Sequence, residues 1–351
     1  MPQSTESITR QVQHNCHVAD ARHAKEYGLC TYLMKMREYY RWEQGLGFDA
    51  PLAMDEVGEW LTRREQLWSG LGASAFQSLE IDGHHYDPFD VAAINDRLLP
   101  RRLVYSGGLG SAGRPHFFLA ELERLERAEG QVRVVSGREL ARDLASPAAM
   151  MCEPYLFVRR ESLRRLLWEK LESWRWRRPD NALGRAFACY DFDRRLAASL
   201  ERMTDAEMEL VLLHERGEHE AGRRLGAGWN DMLVALAGTA AELMARAVRD
   251  HLADCIETLP ALARMESPPS IHFYVGNLAG MRRELFPALQ QGYDRWLEDA
   301  DPSFLESLAR EGRAHWRRVG EEMLMLFRER GAEAGGVIGR RLAEWRFGAP
   351  R

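Results

Sequence analysis

From Met203 to the end of the chain, apolar residues recur at helical spacing almost without a break. No other feature limits the fold so strongly, because a continuous 3.6-residue period excludes strands over nearly half the sequence. Thr204 to Glu207 (TDAE) and Ser303 to Glu306 (SFLE) each fit a capping box. In that motif a hydroxyl and a carboxylate three residues apart satisfy free N–H groups at a helix start. The first box predicts a helix reaching the Gly226 and Gly228 region, and the second a helix to about Arg330. Between them the pattern predicts a helix from Asn230 to Thr258, ending before Pro260, and another near Ile271 that Pro287 interrupts.

The first two hundred residues read differently. Residues 11 to 45 predict one long helix stopped by Gly45 and Gly47, and a second helix follows from Met54 to Ser69. Between residues 75 and 160, short β-like runs (SLEIDGHHY, RRLVYSGG, RPHFFLAEL, QVRVVSG) alternate with Asp-Gly and glycine-rich turns. PYLFV then leads into an amphipathic helix from Glu161 to Arg175, closed by Pro179. The expected fold class is mainly α: a helical bundle formed by the N-terminal helix and the C-terminal helices, with a small inserted α+β segment. The matching division is N-terminal helices at 1–75, the insertion at 76–200 and the bundle at 201–351.

Composition narrows the functional classes. With 45% hydrophobic and 29% charged residues, the 351-residue chain has the make-up of a soluble globular protein. No apolar run approaches the ~20 residues a membrane span needs, and the N-terminus lacks the basic and apolar regions of a signal peptide. A cytoplasmic location and no membrane partner are expected. Five scattered cysteines without a CxxC pair argue against a disulfide framework and against a zinc ribbon. A formal charge of −5 provides no general attraction to nucleic acid. A small-molecule substrate is the expected partner.

The chemistry concentrates in HNCHVADARHAKEYGLC, residues His14 to Cys30. On one helix at about 100° per residue, Cys16, Asp20, His23, Tyr27, Cys30 and Met34 fall on a single stripe. Tyr, Cys and Met usually face inward, so Asp20 and His23 would face inward with them. A buried carboxylate needs compensation. The plain solution is a hydrogen bond between Asp20 and His23, or from each to a neighbouring helix. The sharper one is a metal held by thiolate, carboxylate and imidazole, a set that suits Fe or Zn.

Further ligands lie downstream. LLHERGEHEAG brings His214 and Glu218 onto one helix face and Glu215 and His219 onto another, although its second histidine comes one residue too late for HExxH. His251 sits on an apolar face with Asp254 one turn on. These features predict a metal-dependent enzyme, an oxidoreductase before a hydrolase, with a divalent Fe or Zn cofactor. Its ligands would be Cys16, Asp20, His23, His214, Glu218 and His251, with Glu215 or Asp254 as proton acceptor. No Glu-x-x-His occurs, which argues against a ferritin-like di-iron site. The alternative is a non-enzymatic adaptor or nucleic-acid binder using the Arg- and Trp-rich helix at 159–178. The glycine-rich YSGGLGSAGRPHFF reads as a hairpin, because it lacks the GK[ST] ending of a phosphate loop.

Overall fold

The structure is a computed structural model that describes residues 4–110, 114–128, 131–265 and 267–348. The chain divides into two compact units. The first comprises residues 1–172 and 195–204, and the second residues 173–194 and 205–351. The mainly α class is borne out. The boundary expected near residue 75 falls inside the first unit, which holds the N-terminal helices and the sheet together.

The first unit begins with α1 (Thr5–His23), capped where the Ser4 hydroxyl accepts from the Ser7 N–H. The chain does not continue as one helix to residue 45. It passes through a 3-10 turn at Ala24–Glu26 and restarts as α2 (Leu29–Glu43) after Gly28, whose backbone is extended. α3 (Met54–Leu71) follows. β1 (Leu79–Ile81) and β2 (His84–Tyr86) form a hairpin around Asp82 and Gly83, both at positive φ. Asp-Gly suits this two-residue turn, which demands left-handed backbone at both positions. After α4 (Val91–Leu98) come β3 (Leu103–Leu109), β4 (Pro115–Ala128), β5 (Gln131–Arg142), β6 (Ala149–Cys152) and β7 (Tyr155–Arg159). The five strands are ordered β3-β4-β5-β7-β6, antiparallel except for the β5–β7 pair. α5 (Arg160–Arg175) leaves directly from β7.

Phe117, Phe118, Leu119 and Ala120 are all fully buried, so both faces of β4 are covered at this point. One covering element is α1, whose Ile8, Val12, Cys16 and Ala19 recur every three or four residues and share a core cluster with those strand residues. The N-terminal helix therefore packs against β4, β5 and α3 in its own unit. The sequence could not show this, because an apolar stripe states that a partner exists and not which one.

The second unit holds α6 (Ala182–Ala188) and most of α7 (Leu196–Leu225). After these come α8 (Gly228–Ala235), α9 (Ala240–Ala253), a π-helical segment at Asp254–Thr258 and α10 (Leu259–Met265). The remaining helices are α11 (Pro268–Asn277), α12 (Gly280–Leu285), α13 (Pro287–Asp299), α14 (Ser303–Arg330), α15 (Ala334–Arg340) and α16 (Leu342–Trp345). Both expected capping boxes are corrected. Thr204 lies inside α7 and bonds the Leu200 carbonyl at 2.7 Å, and the Ser303 hydroxyl donates to Asp301 at 2.8 Å. Pro260 does not end its helix either. The wider π turn just before it accommodates a residue that lacks an N–H and crowds the preceding turn.

Candidate functional site

Each unit contains its own buried polar cluster. In the second unit the cluster centres on Asp254, fully buried on the π-helical segment. Oδ1 of Asp254 lies 2.7 Å from His214 Nδ1 on α7. Its Oδ2 accepts from the Tyr274 hydroxyl at 2.7 Å and from Arg282. Burial opposes ionisation of this carboxyl, but Arg282, His214 and the bonds from His214 and Tyr274 hold it well below the usual carboxylate range. Burial likewise opposes charge on His214, and Asp254 outweighs it, holding the imidazole well above its ordinary value.

A second layer surrounds that ion cluster. Glu218 lies 3.6 Å from His214 Nε2 and 3.0 Å from Arg249. Although burial favours its neutral form, these partners pull it down to about 2. Burial and the charge on Glu218 push both Glu215 and Asp250 up to about 7. His251 turns the other way. Its Nε2 meets the Arg282 carbonyl at 2.8 Å, its ring stacks on Trp316 at 4.9 Å, and burial followed by Arg282 lowers it to about 3. It is a neutral core histidine.

In the first unit, the stripe drawn on a single helix is split by the break at Ala24–Glu26, and Cys30 is exposed. The Cys16 thiol donates to the Phe117 carbonyl at 3.3 Å, and burial, then Asp143 and Asp20, push it up, so it stays a thiol. His23 Nδ1 lies 2.8 Å from Glu26, not from Asp20. Asp20 Oδ1 instead accepts the Leu144 N–H at 2.8 Å. The other oxygen, Oδ2, is buried without a hydrogen-bond partner among the described residues. Burial and the neighbouring Asp143 push this carboxyl well above the usual range, against the Leu144 N–H, Arg142 and Arg64. All five cysteines are free.

Among the described residues, no group of three or more His, Cys, Asp or Glu side chains could hold a metal ion. The expected metal-dependent enzyme is therefore corrected. Cys16, Asp20 and His23 point to three different partners, while His214 and Glu218 are joined to Arg282 and Arg249 through a shared ion network. Arg164 bonds Glu201 at 3.2 Å, Arg165 is buried between Glu139 and Glu161, and Arg160 also pairs with Glu201. These three arginines of the Arg-rich helix are paired with carboxylates of their own chain. Ser111, Ala112 and Gly113 lie outside the described residues. The flanking β3 and β4 are paired as a hairpin, with Leu109 opposite Pro115.

Asp20 also forms part of the wall of a cavity of about 590 Å³. Its other lining includes Tyr27, Tyr32, Trp68, Leu29 and Glu65. The Tyr32 hydroxyl donates to Glu65 at 2.9 Å, and the Trp68 N–H to His17 at 3.3 Å. Local sequence accounts for the shape. The break between α1 and α2 carries Tyr27, α2 presents Leu29 and Tyr32, and α3 presents Glu65 and Trp68 three residues apart, about one turn. Sequence reasoning singled out Asp20 but missed Trp68 and Glu65, which look like ordinary helix residues until α3 is placed against α1.

Two matching family models cover most of the chain. The N-terminal domain of a family of unknown function (DUF6866) matches residues 7–159, and the C-terminal domain of the same family matches residues 164–344. No curated protein and no solved structure matches.

Proposed function

Because the chain belongs to the DUF6866 family, whose description assigns no function, we propose one from the site alone: the first unit binds a small organic molecule in the cavity beside Asp20. The observation that carries this reading is that Asp20 lines that cavity while its buried Oδ2 has no hydrogen-bond partner among the described residues. Buried polar atoms are nearly always hydrogen-bonded, and an orphan is costly. Around it, Tyr27, Tyr32, Trp68 and Leu29 supply apolar surface. Ligand sites combine these two ingredients, mostly apolar walls with a few converging polar groups, in volumes of roughly 300–1,000 Å³.

A fragment screen read by melting temperature tests the proposal on the full chain. Fragments that stabilise the wild type should lose their effect in Ser69→Trp. Ser69 is exposed and lines the cavity, so the large side chain fills the space without entering the core. A screen with no stabilising fragment, or one whose fragments act equally on Ser69→Trp, sinks the reading.

A further inference from the structure

Resting on the reading above, we infer that the molecule this cavity receives carries a protonated amine, with Asp20 as its counter-ion and the rings of Tyr32 and Trp68 beside it. The argument begins with what Asp20 lacks. Among the described residues, its only hydrogen bond comes from a backbone N–H. Neither of the two nearby guanidinium groups bonds Asp20, although Arg142 Nη1 is itself buried without a partner among the described residues. Arg64 grips both oxygens of Glu43, at 2.6 and 2.7 Å, and Arg142 donates to the Asp143 carbonyl at 3.1 Å. His23 is taken by Glu26.

The rest of the lining favours the same charge. Glu65 adds a second carboxylate, and electron-rich aromatic faces attract cations. Lys25 is the one cationic side chain in the lining, and it is exposed. Lys35 and Arg114 already lie over the Tyr27 ring, 5.4 and 5.8 Å from its centre, so the incoming cation meets Tyr32 and Trp68, and an anionic ligand would meet the two carboxyl groups of the lining. A neutral ligand could accept a hydrogen bond from protonated Asp20, and it is the rival worth testing.

The two ligands differ in proton balance. Without ligand, burial and Asp143 keep the Asp20 carboxyl well above the usual range. When an ammonium group docks, its charge favours the ionised carboxylate, and the proton that Asp20 holds passes to solvent. A neutral ligand leaves that proton in place.

Calorimetric titration of the full chain at neutral pH, in two buffers of different ionisation enthalpy, separates the cases. The probes are 2-phenylethylamine, its neutral counterpart 2-phenylethanol, and the anion 3-phenylpropanoate. The amine should bind at least tenfold more tightly than the alcohol, with a heat that depends on the buffer, and the anion should bind most weakly. In Asp20→Asn, which retains an oxygen for the Leu144 N–H, the amine preference and the buffer dependence should both vanish while alcohol binding persists. If the alcohol binds as well as the amine, without buffer dependence, and Ser69→Trp abolishes both, the amine inference fails and the cavity reading stands. If none of the three probes binds, the amine inference also fails, and the fragment screen alone decides the cavity. Should Asp20→Asn not fold, the buffer dependence of the wild type still decides between amine and neutral ligand.

Discussion

Two buried aspartates, one in each unit, have opposite surroundings. Asp254 receives an imidazole, a phenol and a guanidinium and is held ionised. Asp20 receives one backbone N–H, keeps an oxygen unpaired and resists ionisation. By itself, burial would raise both pKa values; the count and charge of the donors decide the outcome. A saturated carboxylate ties helices together and has little capacity left for a ligand. An unsaturated one beside a cavity has that capacity. The contrast directs attention to Asp20 for binding and to Asp254 for stability.

Removing Asp254 should produce the largest effect. Asp254→Ala strands Arg282 and His214 in the second unit, and breaking a buried pair costs about 3–5 kcal/mol. Urea unfolding followed by a probe in that unit should show a loss of this order. A loss below about 1 kcal/mol would erase the distinction between the two aspartates.

The pH dependence of the two sites should run in opposite directions. Asp254 is depressed in the folded chain, so its stabilisation is present above the unfolded value of about 4 and is lost as pH falls through the folded value. Asp20 is raised, so the folded state loses stability as pH climbs from about 4 through the folded value, where the unfolded chain ionises more readily. Relative to wild type, Asp254→Asn should therefore recover as the solution is acidified below about 4. Asp20→Asn should gain as pH rises above about 4. His214, raised by Asp254, adds stability that is whole below about 6.5 and is lost as pH rises through its folded value. Unfolding midpoints measured from pH 3 to 7 for the two variants would break the comparison if both slopes had the same sign.

The smallest effect should come from His23. Its pairing with Glu26 lies at the surface, with the two side chains 30% and 44% exposed. His23→Ala should therefore change stability by less than about 0.5 kcal/mol. A larger loss, measured by the same unfolding experiment, would mean that His23 supports the Asp20 cavity after all.

Particular residues mark the limit of what was legible in the amino-acid order. The Asp82–Gly83 pair led correctly to a turn, which closes the β1–β2 hairpin, and the pattern after Ser303 to a long helix reaching about Arg330, now α14. Burial of Asp20 followed from its spacing with Cys16. The partners did not follow. Leu144, which bonds Asp20, is 124 residues away, and Tyr274 and Arg282, which bond Asp254, sit on helices whose own patterns carry no sign of a carboxylate opposite.

Periodicity, turn chemistry and spacing are properties of neighbouring residues, so the sequence by itself determined the mainly α class, the β region between residues 75 and 160 and the inward faces of the helices. Tertiary structure alone decided that α1 packs on the sheet, that the helix breaks between His23 and Leu29, and which donors reach each buried carboxyl. The physical reason is range. A helix face is set within a few residues by backbone geometry, whereas the charge state of a buried group is set by side chains that only the folded chain brings within about 3–4 Å.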